Sequence, residues 1–216
     1  MAYRETEQVR RRKAETRQEL LRAGEKLVRS GGFDALQMQA VASSAGVGVG
    51  TVYRYFTGRE ELAGEVFRRA TEREIAALDE ALAVAGSALN RLEHGLAVFA
   101  RRALSAPRLA RALIAQPVSP GLEASRLHYR REYARRFQHL LDEALAAGLV
   151  PEQSTEVSAN ALVGAIAEAL AGPLADDAAG AERIEAVCRF CLRAVGAVDT
   201  ASRPAPESLP EISHEG

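Results

Sequence analysis

The stretch Ala42-Ser43-Ser44-Ala45-Gly46-Val47-Gly48-Val49-Gly50-Thr51-Val52-Tyr53-Arg54-Tyr55-Phe56 decides how the rest of the chain is read. It describes a short helix ending in small residues, a tight glycine-containing turn and a second short helix. That is the helix-turn-helix plan, in which the second helix enters the DNA major groove. Ala42 and Ala45 let the two helices approach, Gly46 permits the positive φ of the turn, and Val47, Val52 and Phe56 are the expected buried anchors. Tyr53, Arg54 and Tyr55 then remain for the phosphate backbone, with Arg59 beside a helix N-terminus that itself attracts anions.

Upstream, the spacing predicts a first helix over residues 7–30, with ridges Leu20/Ala23/Leu27 and Leu21/Gly24/Val28, stopped by Gly31 and Gly32. Helices over 38–45 and 49–55 form the motif itself. Thr57-Gly58 breaks the chain again, and Arg59-Glu60-Glu61 opens a long helix to about residue 85, its acids suited to the positive helix end. Beyond it, Leu89, Leu92, Leu96, Phe99 and Ala103 form a bundle-type stripe, and Pro107 and the Pro117/Pro120 pair bracket a short helix with Leu109, Leu113 and Ile114. A long helix over 122–147 ends at Gly148, and helices over 154–171 and 181–196 precede a proline-containing tail. The expected architecture is all-α. A three-helix DNA-binding domain occupies residues 1–58, a helical ligand-binding and dimerisation domain 59–198, and a disordered tail 199–216.

Composition agrees. Aromatic residues make up only 5% of 216, against abundant Ala, Leu, Glu and Arg, which favours helices over strands. The formal charge of −1 gives no hint of a polyanionic partner until it is divided along the chain. Residues 1–57 carry ten Lys/Arg against six Asp/Glu, a net of +4, leaving eighteen against twenty-three, or −5, for the remainder. One end is thus suited to an anion such as nucleic acid. The run Arg10-Arg11-Arg12-Lys13 reads either as a solvated face or as a DNA-flanking arm.

Other classes find little support. The first twenty residues lack an apolar signal region, and the stretch 159–175 is interrupted by Asn160, Glu168 and Pro173, so a soluble, cytoplasmic protein without membrane contact is expected. No Ser/His/Asp, metal-spaced or nucleotide-loop constellation is present; Gly46-x-Gly48-x-Gly50 follows a helix rather than a strand and lacks the dinucleotide fingerprint. No enzyme activity, metal or cofactor is therefore expected. His94, His128 and His139 show no ligand spacing and read as surface or packing residues.

The segment AVASSAGVGVGTVYRYFTGREELAGEVF resembles the DNA-binding domain of the tetracycline-repressor family of bacterial transcriptional regulators. The family pattern is matched at Val41, Ala42, Ala45 to Val47, Gly50 to Tyr53, Phe56, Arg59, Glu60 and Leu62, and Gly32 to Leu36 also fits. By motif position, the resemblance implies that Gln39 and Val49, Gly50 and Thr51 face base edges, while Gln37, Tyr53, Tyr55 and Arg59 hold phosphates. Two departures stand out: Gln37 where the family usually has Thr, and Gly48 where it usually has Ser, both at helix N-caps, where Gln lacks the short oxygen of a good cap.

The resemblance further implies a repressor that binds a pseudo-palindromic operator as a homodimer through its last two long helices and is released by a small molecule. The residues themselves suggest how. Ala161, Gly164, Ala165, Ala167 and Ala169 give a small-residue surface, and Ile184, Val187, Cys188, Cys191, Leu192 and Val195 an apolar one, with the cysteines expected in the interface core. Leu122, Arg126, Tyr129, Tyr133, Phe137 and Leu140 share a helix face, and Asn160, Gly164 and Glu168 repeat the theme on the next helix. With Phe99 they are the candidate lining of a pocket for a mostly hydrophobic effector bearing one polar or anionic group, held by Arg126 and the tyrosine hydroxyls. The competing role for Arg126 is an intrahelical pair with Glu123. A helical partner-binding protein without DNA-binding activity is the different-class alternative.

Overall fold

A computed structural model describes residues 6–171 and 180–197; the expected disordered tail lies outside these residues. Their helices run in the order α1 (Glu7–Gly31), α2 (Met38–Ala45), α3 (Val49–Tyr55), α4 (Arg59–Leu82), α5 (Ala88–Ser105), α6 (Pro107–Ile114), α7 (Pro120–Ala146), α8 (Thr155–Ala171) and α9 (Gly180–Ala194). The fold is all-α, as composition and periodicity predict. Only a short 3-10 turn, Phe33–Ala35, was not foreseen.

Local chemistry explains the boundaries. The Thr6 side chain accepts from the Val9 amide to start α1, and Gly32, at φ 67°, ends it. At the head of α4 the Glu61 carboxylate reaches back to accept from both the Thr57 amide and the Thr57 hydroxyl at 2.7 Å. Those two bonds hold Glu61 below the ordinary carboxylate value. Pro107 and Pro120 open α6 and α7, positions where the missing N–H costs nothing.

Two apolar cores form. The first gathers Leu20, Leu21 and Val28 of α1 with Val41, Val52 and Phe56 of the motif, and then with Leu62, Val66 and Phe67 from the first half of α4. The second joins Leu78 and Leu82 of α4 to α5, α7, α8 and α9. The backbones of α1 and α4 come close at Gly24, where an added Cβ would stand 2.8 Å from Val66 Cγ2. Ion pairs reinforce that crossing: Glu25 meets Arg69 and Arg73, each at 2.7 Å. Helix α6 contributes to both cores, with Leu109 and Ala112 in the first and Ala110 in the second.

The cysteine stripe departs from expectation. Val187, Cys188, Cys191 and Val195 face inward, and α9 packs on α5 and α8 of its own chain. They are core of the subunit rather than of an interface, because α9 needs that stripe to close the bundle. Burial raises both thiols, that of Cys191 to about 12.

Candidate DNA-binding face and ligand chamber

In the helix-turn-helix, Gly46 takes the left-handed conformation at φ 68°, and the Val47 amide donates to Ala42 O at 3.0 Å. Val52 and Phe56 are buried as predicted, with Arg17 stacked 5.2 Å over the Phe56 ring, while Val47 is only half-buried. Orienting α3 by these anchors turns Val49, Gly50, Tyr53 and Arg54 outward at i, i+1, i+4 and i+5; Tyr53 is 55% exposed. Thr51 and Tyr55 flank that face half-buried, and Gln37 and Gln39 stand exposed at the head of α2.

Neither unusual N-cap supplies a side-chain cap. Gln37 Nε2 donates to Asp34 O at 3.1 Å, behind the helix it precedes, and Gly48 has no side chain to offer. Arg59 has a further task beyond the one its motif position implies. Its Nε donates to Leu36 O at 2.9 Å and its Nη2 to Phe33 O at 2.8 Å, so it fastens α4 to the turn leading into α2.

Behind this domain lies a cavity of about 90 Å³ walled by α4, α5, α6, α7 and α8. Five predicted residues meet there: Phe99, Arg126, Tyr129, Tyr133 and Phe137. Asn160, Gly164 and Glu168 do not line it. All three are exposed, since α8 turns Ala159, Leu162, Ile166 and Leu170 inward and gives the chamber Val163, Ile166 and Ala167 instead. Asn160 Nδ2 donates to Glu156 O of its own helix at 2.9 Å.

The charged groups around the chamber are matched internally. Arg126, 6% exposed, donates from Nε to Leu113 O at 2.9 Å and from Nη2 to Gln116 O at 2.7 Å and Ala112 O at 3.3 Å, while Nη1 pairs with Glu123. It therefore caps the C-terminal end of α6, and the Glu123 pair is part of that clamp. Arg102 grips Glu74 through two bonds at 2.6 and 3.0 Å. Burial, and then the charge of Glu74, hold the Tyr133 phenol well above its ordinary value, so it is a neutral hydroxyl. Burial likewise raises Tyr129, whose hydroxyl makes a long 3.4 Å contact with Glu72.

A second, open basin of about 670 Å³ shares Ile114, Arg130 and Ala167 with the chamber and is also lined by Arg108, Arg111 and Asp34. At its floor Gln116, just past α6, bridges the domains. Its Oε1 accepts from the Phe33 amide at 2.9 Å, and its Nε2 donates to Asp34 Oδ2 at 2.9 Å. Sequence reasoning missed Gln116, Thr71 and the whole α6 wall. Thr71 carries the same signal that flagged Arg126, a polar residue inside an apolar helical stripe, here between Phe67 and Ile75. Among the described residues no group of His, Cys, Asp and Glu could hold a metal ion, and no helix is long and apolar enough to cross a membrane.

Residues 20–66 match the family model of "Bacterial regulatory proteins, tetR family". The HTH-type transcriptional repressor KstR of Mycolicibacterium smegmatis is 40% identical over 78 residues, covering 36% of this chain and 38% of that protein. KstR of Rhodococcus jostii is 44% identical over 59 residues, covering 27% and 28%. The matched region thus spans well under half the length of these curated relatives. In fold, a TetR/AcrR-family regulator from Thermobifida fusca aligns at a TM-score of 0.68 and 21% identity, over 82% of this chain and 97% of that one. FadR of Bacillus subtilis, solved in complex with stearoyl-CoA, aligns at 0.70 and 18% identity, over 85% and 100%. Residues 20–66 are thus similar in sequence to the tetR family of bacterial regulatory proteins, and the fold over more than four-fifths of the chain resembles that of TetR/AcrR-family regulators.

Proposed function

We propose that the protein is a ligand-responsive transcriptional repressor that binds a pseudo-palindromic operator as a homodimer in the cytoplasm. The observation that carries this reading is the outward face of α3, where Val49, Gly50, Tyr53 and Arg54 stand clear of the core on a rigidly anchored helix. Gln39, Val49, Gly50 and Thr51 read bases, and Gln37, Tyr53, Arg54 and Tyr55 hold phosphates. Arg59 fixes the angle of the motif and keeps Nη1 for the backbone. The exposed small residues Ala161, Gly164 and Ala169 of α8, with Val157 at 67% and Phe190 at 59% exposure, supply apolar surface for the dimer contact.

The effector is an apolar molecule with a polar or anionic group, a class to which the stearoyl-CoA held by the FadR neighbour belongs. Arg126 is already engaged, so the anion is met by Arg130 on the rim shared with the basin. Arg130 is exposed and has no ion pair among the described residues. A cavity of about 90 Å³ is smaller than the roughly 150 Å³ that admits benzene, so a larger effector must move a wall. The short α6 is that wall, and Gln116 passes its displacement to the Phe33–Asp34 turn ahead of α2. A coupling of about 1–3 kcal/mol gives 5–150-fold relief of DNA binding.

Selection of duplexes from a random pool tests the reading. Enrichment of inverted half-sites with centres about 34–36 Å apart, bound with steep salt dependence, is expected. No enriched duplex, or a footprint without two-fold symmetry, overturns it.

A further inference from the structure

We propose that the chamber reads a neutral oxygen, a hydroxyl or carbonyl on an otherwise apolar effector, through Thr71 and Tyr133; this rests on the chamber being the effector site. The groups around the cavity divide into two sets. The Glu74–Arg102 pair and the Arg126 clamp are matched within the protein, so an anionic group is met at the rim by Arg130 and the interior is left to neutral groups. Two hydroxyls are not matched. Thr71 is 4% exposed and lines the cavity from α4, yet its Oγ1 has no hydrogen-bond partner, not even the preceding turn of its own helix. Tyr133 lines the cavity from α7, its ring edge-on to Phe99 with centroids 5.4 Å apart, and its hydroxyl makes no hydrogen bond among the described residues.

The Thr71 hydroxyl is the fully buried one of the two, and a buried hydroxyl without a partner costs free energy that native interiors rarely leave uncompensated without a functional reason. Both hydroxyls can donate to a carbonyl, and both can serve an alcohol as donor or acceptor. Around them Phe67, Phe99, Leu113 and Ile166 supply apolar contact for the body of the molecule. A site built this way favours an oxygenated hydrocarbon over the hydrocarbon lacking the oxygen, because the bare analogue leaves both groups unpaired.

Toluene and benzyl alcohol, which differ by one hydroxyl, are suitable probes, since both exceed the closed cavity and call for the same displacement of α6. Their dissociation constants are measured by titration calorimetry on the full chain, on Thr71→Val, on Tyr133→Phe and on the double variant. Taking the ratio of the two constants within each protein cancels the unequal hydration of the probes. The wild-type ratio should shift toward toluene by about tenfold in each single variant and further in the double, with toluene affinity held, since Val and Phe keep the cavity's shape. An unchanged ratio in the double variant overturns the inference and leaves the chamber standing as an apolar site. Failure of both probes to bind the wild type overturns the chamber reading along with it. Duplex binding by the same preparations reads the DNA half of the proposal separately.

Discussion

The Phe33 amide donates to Gln116 Oε1 at 2.9 Å across 83 residues of sequence, tying the end of α6 to the turn in front of the helix-turn-helix. The same side chain donates to Asp34, so one amide group bridges the α6 wall of the cavity and the helix-turn-helix domain. Gln116→Ala removes both bonds. Stability should fall by about 1 kcal/mol, and the Phe33 amide should exchange its hydrogen measurably faster than in wild type while amides in α3 keep their protection. Urea melts with residue-resolved hydrogen exchange check this; unchanged exchange at Phe33 would contradict the bridge.

Arg126 is a structural clamp. Arg126→Lys places a single ammonium where a planar fork serves three carbonyls, so it should lower stability by about 1–3 kcal/mol in denaturant titrations. Arg130→Ala, at an exposed position, should stay within about 0.5 kcal/mol of wild type. Equal midpoints for the two variants would show that Arg126 does not hold α6.

On α3, the outward and inward residues should separate cleanly. Arg54→Ala is expected to weaken duplex binding about evenly across sequences and to lower the salt slope by about 1, with the melting curve unmoved. Phe56→Ala empties a buried ring site and should cost about 3–5 kcal/mol of stability. Fluorescence anisotropy at several salt concentrations, paired with urea melts, distinguishes the two.

Cys191 sets a limit at high pH. Its thiol lies fully buried and is raised from 9.0 to about 12, so the folded state keeps its proton where the unfolded chain would release it. Its contribution to stability is therefore intact below about pH 9 and lost as pH rises from there toward 12. Cys191→Ala should lose that part of the slope in urea midpoints measured from pH 8 to 11. Native protein at pH 8 should also resist a thiol reagent that labels the urea-unfolded chain.

Helix positions were legible because their punctuation is local: Gly32, Gly46 and Gly148 take positive φ where the chain must turn, and Pro107 and Pro120 open helices. The helix-turn-helix could be read residue by residue because spacing within seven residues fixes which side chains share the buried face. The chamber was only half legible. Periodicity identified a stripe on α7 and another on α8, but a stripe does not say which neighbour it meets, and Asn160, Gly164 and Glu168 turned out to face solvent. The cysteine stripe of α9 was equally ambiguous between its own bundle and a second subunit. Thr71, Arg102 and α6 come together from separate segments, and no local pattern in the chain announces that meeting.

The shared position of α6 and α4 bears on how such regulators can be recombined. A chimaera cut at residue 58 would separate Val52 and Phe56 from Leu62, Val66 and Phe67, and leave Leu109, Ala112 and Leu122 facing a foreign surface. The exchangeable module is larger than the DNA-reading head and discontinuous in sequence. It includes the first half of α4, the Leu109/Ala112 face of α6 and Gln116, and a graft that carries these along should keep both its fold and its responsiveness.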